Sequence, residues 1–222
     1  MTAQNSPVIA RSLMCFGDSN TWGADPSAPV RFPRHVRWPG VLATLLAPQV
    51  HVIEEGLSGR TTCLEDPFTP WRRGSDALPM LLATHLPLDG IVIMLGTNDC
   101  KQRFGLPTID IALGVAQLLK LVHQAECGPN GATPRVLVVA PPPIVVAEPT
   151  RESFAGAPER SQGLAAAYAT VAREAGADFL DAGQIIRSSA VDGIHFDADQ
   201  HPKLAQAVAD VVRGWWGLAG AQ

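Results

Sequence analysis

Five short apolar runs, each parted from the next by a loop or a stretch of helical periodicity, constrain this chain more than any other feature. The runs cover residues 13–16, 50–54, 91–95, 136–140 and 179–180, and most stop at glycine or proline. A short, continuous apolar run suits a strand buried on both faces, which is the condition of a parallel sheet covered by helices. Between the runs, Val41, Leu42, Leu45 and Leu46 keep one helical face until Pro48, and a short helix is expected over 76–85. A longer one is predicted over 108–125, with Ile109, Ala112, Leu113, Ala116, Leu119 and Val122 turned to the sheet. Further helices are expected over 159–175 and from a cap near Asp199 to about Trp215. Strand and helix in alternation give an α/β fold with a parallel sheet of about five strands, and crossover handedness brings the carboxyl ends of those strands to one edge.

At 222 residues the chain can bury one substantial core, and no linker or repeat divides it, so a single domain over 1–222 is expected, with 1–11 as a flexible tail. The 46% of hydrophobic residues and 17% of charged residues mark a globular chain, and a net charge of −4 argues against a nucleic-acid surface. Residues 1–12 lack the apolar segment of a signal peptide and no run approaches a membrane span, so no membrane partner and a cytoplasmic location are expected. Cys15, Cys63, Cys100 and Cys127 form no CxxC pair and read as free thiols.

The chemistry is concentrated at the ends of the runs. The first delivers Gly17-Asp18-Ser19, which reads either as a nucleophile or as a helix cap. The second ends in 56–62, where Gly56 and Gly59 let backbone amides approach a ligand. After the third, Asn98 of Gly96-Thr97-Asn98-Asp99 offers a side-chain donor for an oxyanion, or a turn. In the segment before the last helix, Asp192 precedes His195 by three residues, a spacing that can bring a carboxylate onto the ring's Nδ1–H and leave Nε2 free to take a proton from Ser19. The chain order Ser, Asp, His is one in which such triads occur. Trp22, Phe32, Trp71 and Phe104 lie on loops near these ends and are expected to wall an apolar substrate channel. His35, His51, His85, His123 and His201 have no paired ligand spacing and read as structural or surface residues. Glu54 and Glu55, neighbours on a strand, point to opposite faces and cannot flank one bond.

Taken in order, Gly17-Asp18-Ser19, Gly56 with Gly59, Gly96-Thr97-Asn98-Asp99 and Asp192-x-x-His195 resemble the four blocks of the SGNH (GDSL-type) hydrolases. The stretches Arg37-Trp38-x-Gly40-Val41-Leu42, 52–58 and 192–196 are most similar to the oligomeric arylesterases and acyltransferases of that family. The resemblance implies a flavodoxin-like three-layer α/β/α sandwich, with Ser19 as nucleophile, His195 as base and Asp192 as its orienter. It also implies an oxyanion hole from the Ser19 and Gly59 amides and the Asn98 side chain, and no metal or organic cofactor. Its expected partners are small-molecule esters and alcohols and further copies of the chain, an octamer being one candidate size. A carbohydrate or lipid-chain deacylase or thioesterase is the alternative within the family, and a non-catalytic binding module the alternative outside it. The sequence departs from the GDSL pattern at Asn20, where leucine is expected, and Gly59 stands where the nearest relatives more often carry alanine.

Overall fold

In a computed structural model, which describes residues 10–218, five strands form one parallel sheet in the order β2-β1-β3-β4-β5. They are β1 (Arg11–Gly17), β2 (Val50–Gly56), β3 (Gly90–Met94), β4 (Arg135–Ala140) and β5 (Asp178–Asp181). β1 starts at Arg11, inside the stretch expected as a tail, because Arg11 pairs with Val50; residues 1–9 lie outside the described residues.

The continuous apolar runs are explained by burial on both faces. Met14, Phe16, Ile91, Ile93, Val136 and Val138 pack on one side against α3 (Gly74–His85), α4 (Thr108–Ala125) and α6 (Leu164–Glu174). The alternate residues Leu13, Cys15, Val92, Met94, Leu137 and Val139 pack on the other against α2 (Trp38–Leu46) and α7 (Gln200–Trp216). This is the three-layer α/β/α sandwich. Among the described residues no helix is long and apolar enough to cross a membrane, and all four cysteines are free.

Two helices differ from the sequence reading. α4 has the expected bounds and buries Ala112, Leu119 and Val122 as expected, but Ile111, Val115 and Leu118 complete the buried stripe, while Ile109 and Leu113 are 58% and 56% exposed. The helix carries apolar residues on most sides, so periodicity leaves its facing open, and a contact decides it. A Cβ on Gly114 would lie 2.1 Å from Thr62 Oγ1, so only a glycine admits the loop that follows β2, and this turns the stripe beside Gly114 inward. The single helix expected over 159–175 is instead α5 (Ala157–Gln162) and α6, broken at Gly163. Thr108 Oγ1 donates to the Arg160 carbonyl at 2.9 Å and so takes the acceptor that the next helical turn would use.

The strand order reverses between β1 and β3, since the chain passes from β1 outward to β2 and then returns to the other side of β1. In open α/β sheets the crevice at the carboxyl ends of two such strands is where ligands bind. Ser19 follows β1 and Asn98 follows β3.

Candidate active site

Both readings of Gly17-Asp18-Ser19 hold at once. Asp18 Oδ1 caps a one-turn helix, α1 (Ser19–Trp22), by accepting from the Asn20 amide at 2.9 Å, and the cap places Ser19 at the first helical position. The turn fits against β2 only because Gly56 has no side chain: a Cβ there would lie 2.2 Å from the Trp22 amide nitrogen. Ser19 is 7% exposed, and its Oγ lies 2.9 Å from His195 Nε2.

The loop carrying His195 is tied to itself before it is tied to anything else. Asp192 Oδ1 accepts from the Ile194 and His195 amides at 3.0 Å each, and Oδ2 meets His195 Nδ1 at 2.5 Å. Ser189 N donates to the His195 carbonyl at 2.7 Å, and the Thr150 hydroxyl holds the Asp192 carbonyl at 2.5 Å. Burial raises the Asp192 carboxyl, but hydrogen bonds from the His195 ring and from the two amides outweigh it, so the group sits below the usual carboxylate range. An ionised carboxylate only accepts. Nδ1 therefore carries the ring proton, and Nε2 is left to accept from the serine hydroxyl.

Gly59 and Asn98 line the same cavity as Ser19. Asn98 opens the turn after β3, and its Nδ2 donates to the Arg60 carbonyl at 3.1 Å and, at the longer distance of 3.5 Å, to Asp18 Oδ2, which hold the amide in place. Gly59 adopts φ +82°, a left-handed conformation that strains any residue with a Cβ. The backbone N–H groups of Ser19 and Gly59 have no partner among the described residues. Behind them, burial pushes the Asp18 and Asp99 carboxyls up to about 6, although Thr62 donates to Asp99 through both its amide and its hydroxyl.

Ser19, Gly59, Asn98 and His195 open on a cavity of about 410 Å³. Of the aromatic residues expected on its wall, Trp22 lines it and the others do not. Phe32 turns away to pack edge-on against His201, with ring centroids 5.4 Å apart. Trp71 is 83% exposed, beside Met80 and Leu81 of α3, and Phe104 lies on the turn after β3, off the cavity. Val30, Lys101, Phe154 and Ile194 take their place. Ile194 was legible as the neighbour of His195; Phe154, on the loop after β4, carries no local signal.

The residues set aside also have places. Glu54 is bound by Arg31, Arg34 and Arg37, and Glu55, on the opposite face, by His85 at 2.8 Å. His201 is fully buried; its Nδ1 accepts from the Trp38 amide at 3.2 Å, and burial pulls its pKa down to about 4.

A hydroxyl, an imidazole and a carboxylate in line, with Gly59 and Asn98 on the same cavity, form the arrangement of a serine hydrolase. The model of the GDSL-like lipase/acylhydrolase family matches residues 15–205; the chain belongs to that family and is an ester hydrolase. Among solved structures, it is similar to Est24, a carbohydrate acetylesterase from Sinorhizobium meliloti, at 42% identity over 93% of this chain and 100% of that one, with a TM-score of 0.89. The aryl esterase of M. smegmatis in its inhibitor-bound form is 42% identical over 92% of this chain and 99% of that one, with a TM-score of 0.89. A carbohydrate acetylesterase family member from Sinorhizobium meliloti is 37% identical over 94% and 100%, with a TM-score of 0.89. A search of curated proteins returns no significant match.

Proposed function

We propose that the chain is a serine esterase of arylesterase type that works through an acyl-enzyme on Ser19 and passes the acyl group to alcohols as well as to water. The observation that carries this is the unbroken chain from Ser19 Oγ through His195 to Asp192, at 2.9 and 2.5 Å, opening on the cavity that Trp22, Val30, Phe154 and Ile194 make largely apolar. Ser19 Oγ attacks the ester carbonyl as Nε2 takes its proton. The oxyanion is met by the Ser19 and Gly59 amides and by Asn98, and the imidazolium then protonates the departing alcohol. A second alcohol or a water repeats the sequence in reverse to free the enzyme.

Transfer requires that the acyl-enzyme prefer an alcohol over abundant water. A narrow apolar approach provides that preference, and about 3 kcal/mol between the two transition states shifts the product ratio more than a hundredfold. The approach is completed by neighbouring copies of the chain in an oligomer. The similarity to aryl esterases supports an aryl leaving group, and that to carbohydrate acetylesterases supports a second reading, deacetylation of sugars, which Asp25 and Lys101 on the cavity wall favour by offering polar partners to hydroxyls. A rate panel of aryl acetates against acetylated sugars separates the two.

The test is mutational. Ser19→Ala and His195→Ala each remove nearly all ester hydrolysis, and the double variant is little worse, because the three groups act as a unit; additive losses would sink the triad. Asn98→Ala lowers kcat about a hundred- to a thousandfold with little change in KM, since its amide binds charge that appears only in the transition state. A near-normal Asn98→Ala enzyme would move the oxyanion site elsewhere.

A further inference from the structure

Asn20, the residue that departs from the GDSL pattern, has a role in the fold that leucine could not fill. It follows Ser19 directly, is 2% exposed, and its Nδ2 donates at 3.0 Å to the carbonyl of Ile194, the residue directly before His195. The bond joins positions 174 apart in sequence. Its direction is fixed by chemistry, because a carbonyl only accepts and so must face the amide nitrogen. The other end of the side chain is less well served: Asn20 Oδ1 is buried with no partner among the described residues. Stability alone does not favour a buried polar side chain with one atom unpaired.

We infer that Asn20 is a positioning residue that holds the His195 loop in register with the Ser19 turn. The loop is internally rigid through Asp192, so the Asp192–His195 pair moves as one body, and what remains to be set is the distance from that body to Ser19. The Asn20 bond is made between the residues next to the two reacting atoms and fixes that distance; the 2.9 Å contact from Ser19 Oγ to Nε2 lies alongside it. Because the inference rests on the proposed triad, its test separates the two.

The experiment compares the parent, Asn20→Leu and Asn20→Ala, each also in a His195→Ala background, with p-nitrophenyl acetate as substrate. With His195 present, kcat falls roughly ten- to a hundredfold, the cost of a misplacement on the order of 1 Å or less, while KM stays within twofold. The acid limb of the pH profile does not move, because the Asp192–His195 pair is intact. In the His195→Ala background the Asn20 substitutions have no further effect. Turnover within twofold of the parent in both Asn20 variants overturns the inference, as does an equal loss with and without His195, which marks a general packing defect. Where leucine does not fold, as judged by circular dichroism, the alanine variant carries the same comparison. A His195→Ala enzyme with parent turnover removes the triad itself, and with it this inference, by a result that owes nothing to Asn20.

Discussion

The two long loops beside Ser19, residues 23–37 and 57–73, are alike in composition and opposite in effect. Both are rich in proline and arginine, both carry large apolar residues, and both are strapped down by one carboxylate that gathers several cations. Glu54 belongs to the sheet, and Arg31, Arg34 and Arg37 reach it from the first loop. Asp66 belongs to the second loop itself, and Lys101 and Arg103 reach it at 3.2 and 2.9 Å from the turn after β3. The first arrangement pulls its loop in over β2, so that Ala24, Pro29 and Val30 face the cavity. The second folds its loop around its own acid and leaves Phe68 and Trp71 outside, 77% and 83% exposed. Where the shared carboxylate sits, and not how many aromatic residues a loop holds, decides whether a loop's large side chains reach the cavity; the second loop meets it through Ser58 and Gly59 at its start.

The largest way to break the contrast is to remove the acid that closes the second loop. Asp66 is fully buried, so Asp66→Ala leaves Lys101 and Arg103 facing each other without it and costs about 3 kcal/mol, read as a fall in the urea midpoint. Lys101 lines the cavity, so turnover falls with it. A loss under about 1 kcal/mol would mean that the loop is held by something other than its acid.

Nearly as large is an acid-driven loosening of the first loop, whose Phe32 rests on His201. The folded pKa of His201, about 4, lies below the ordinary 6.5, so between those values the unfolded chain binds the extra proton and stability falls as pH falls. The parent's advantage over His201→Gln therefore shrinks by about 2 to 3 kcal/mol between pH 7.5 and pH 4.5. Asp18 and Asp99 titrate in the same range with the opposite sign, but they are common to both proteins and cancel in the difference. An equal advantage at both pH values would show that His201 is not held neutral by burial.

How far the sequence foretold this contrast depends on the range of the interaction involved. The sheet was legible because burial on both faces writes continuous apolar runs, and Asp192 and His195 because a three-residue spacing is a local fact. Ser19, Gly59 and Asn98 could be brought together from sequence because each follows a strand of one parallel sheet. The facing of α4 was legible in part, through Ala112, Leu119 and Val122, but not the exposure of Ile109 and Leu113, since Gly114 against Thr62 is a contact between residues 114 and 62 that no periodicity encodes. Phe32, Trp71 and Phe104 were placed by nearness in sequence, whereas their directions depend on His201, on Asp66 and on the turn after β3. Phe154 and the Asn20 bond to Ile194 belong to the same class of long-range facts.

The two tryptophans of these loop regions sharpen the comparison with smaller effects. Trp22→Ala opens the cavity wall and lowers kcat/KM for a bulky aryl ester roughly tenfold, about 1.4 kcal/mol, while acetate esters with small leaving groups are affected less. Trp71 touches no part of that cavity, so Trp71→Asp leaves hydrolysis of a small aryl acetate within about twofold of the parent. It is nonetheless the more instructive variant. An indole this exposed, with Phe68 on the same loop and Met80 beside it on α3, gives an apolar surface of the kind that proteins cover by association. In the proposed oligomer this surface meets a neighbouring copy, and a charge placed there opposes the contact by its desolvation cost. Trp71→Asp should then elute later from a sizing column than the parent. If the neighbour also narrows the way to Ser19, the yield of transferred ester relative to free acid drops in the same variant while total ester consumption is kept. Unchanged elution with an unchanged product ratio would take Trp71 and the exposed part of the second loop out of both assembly and acyl transfer, and would leave the first loop as the one that shapes the path to the acyl-enzyme.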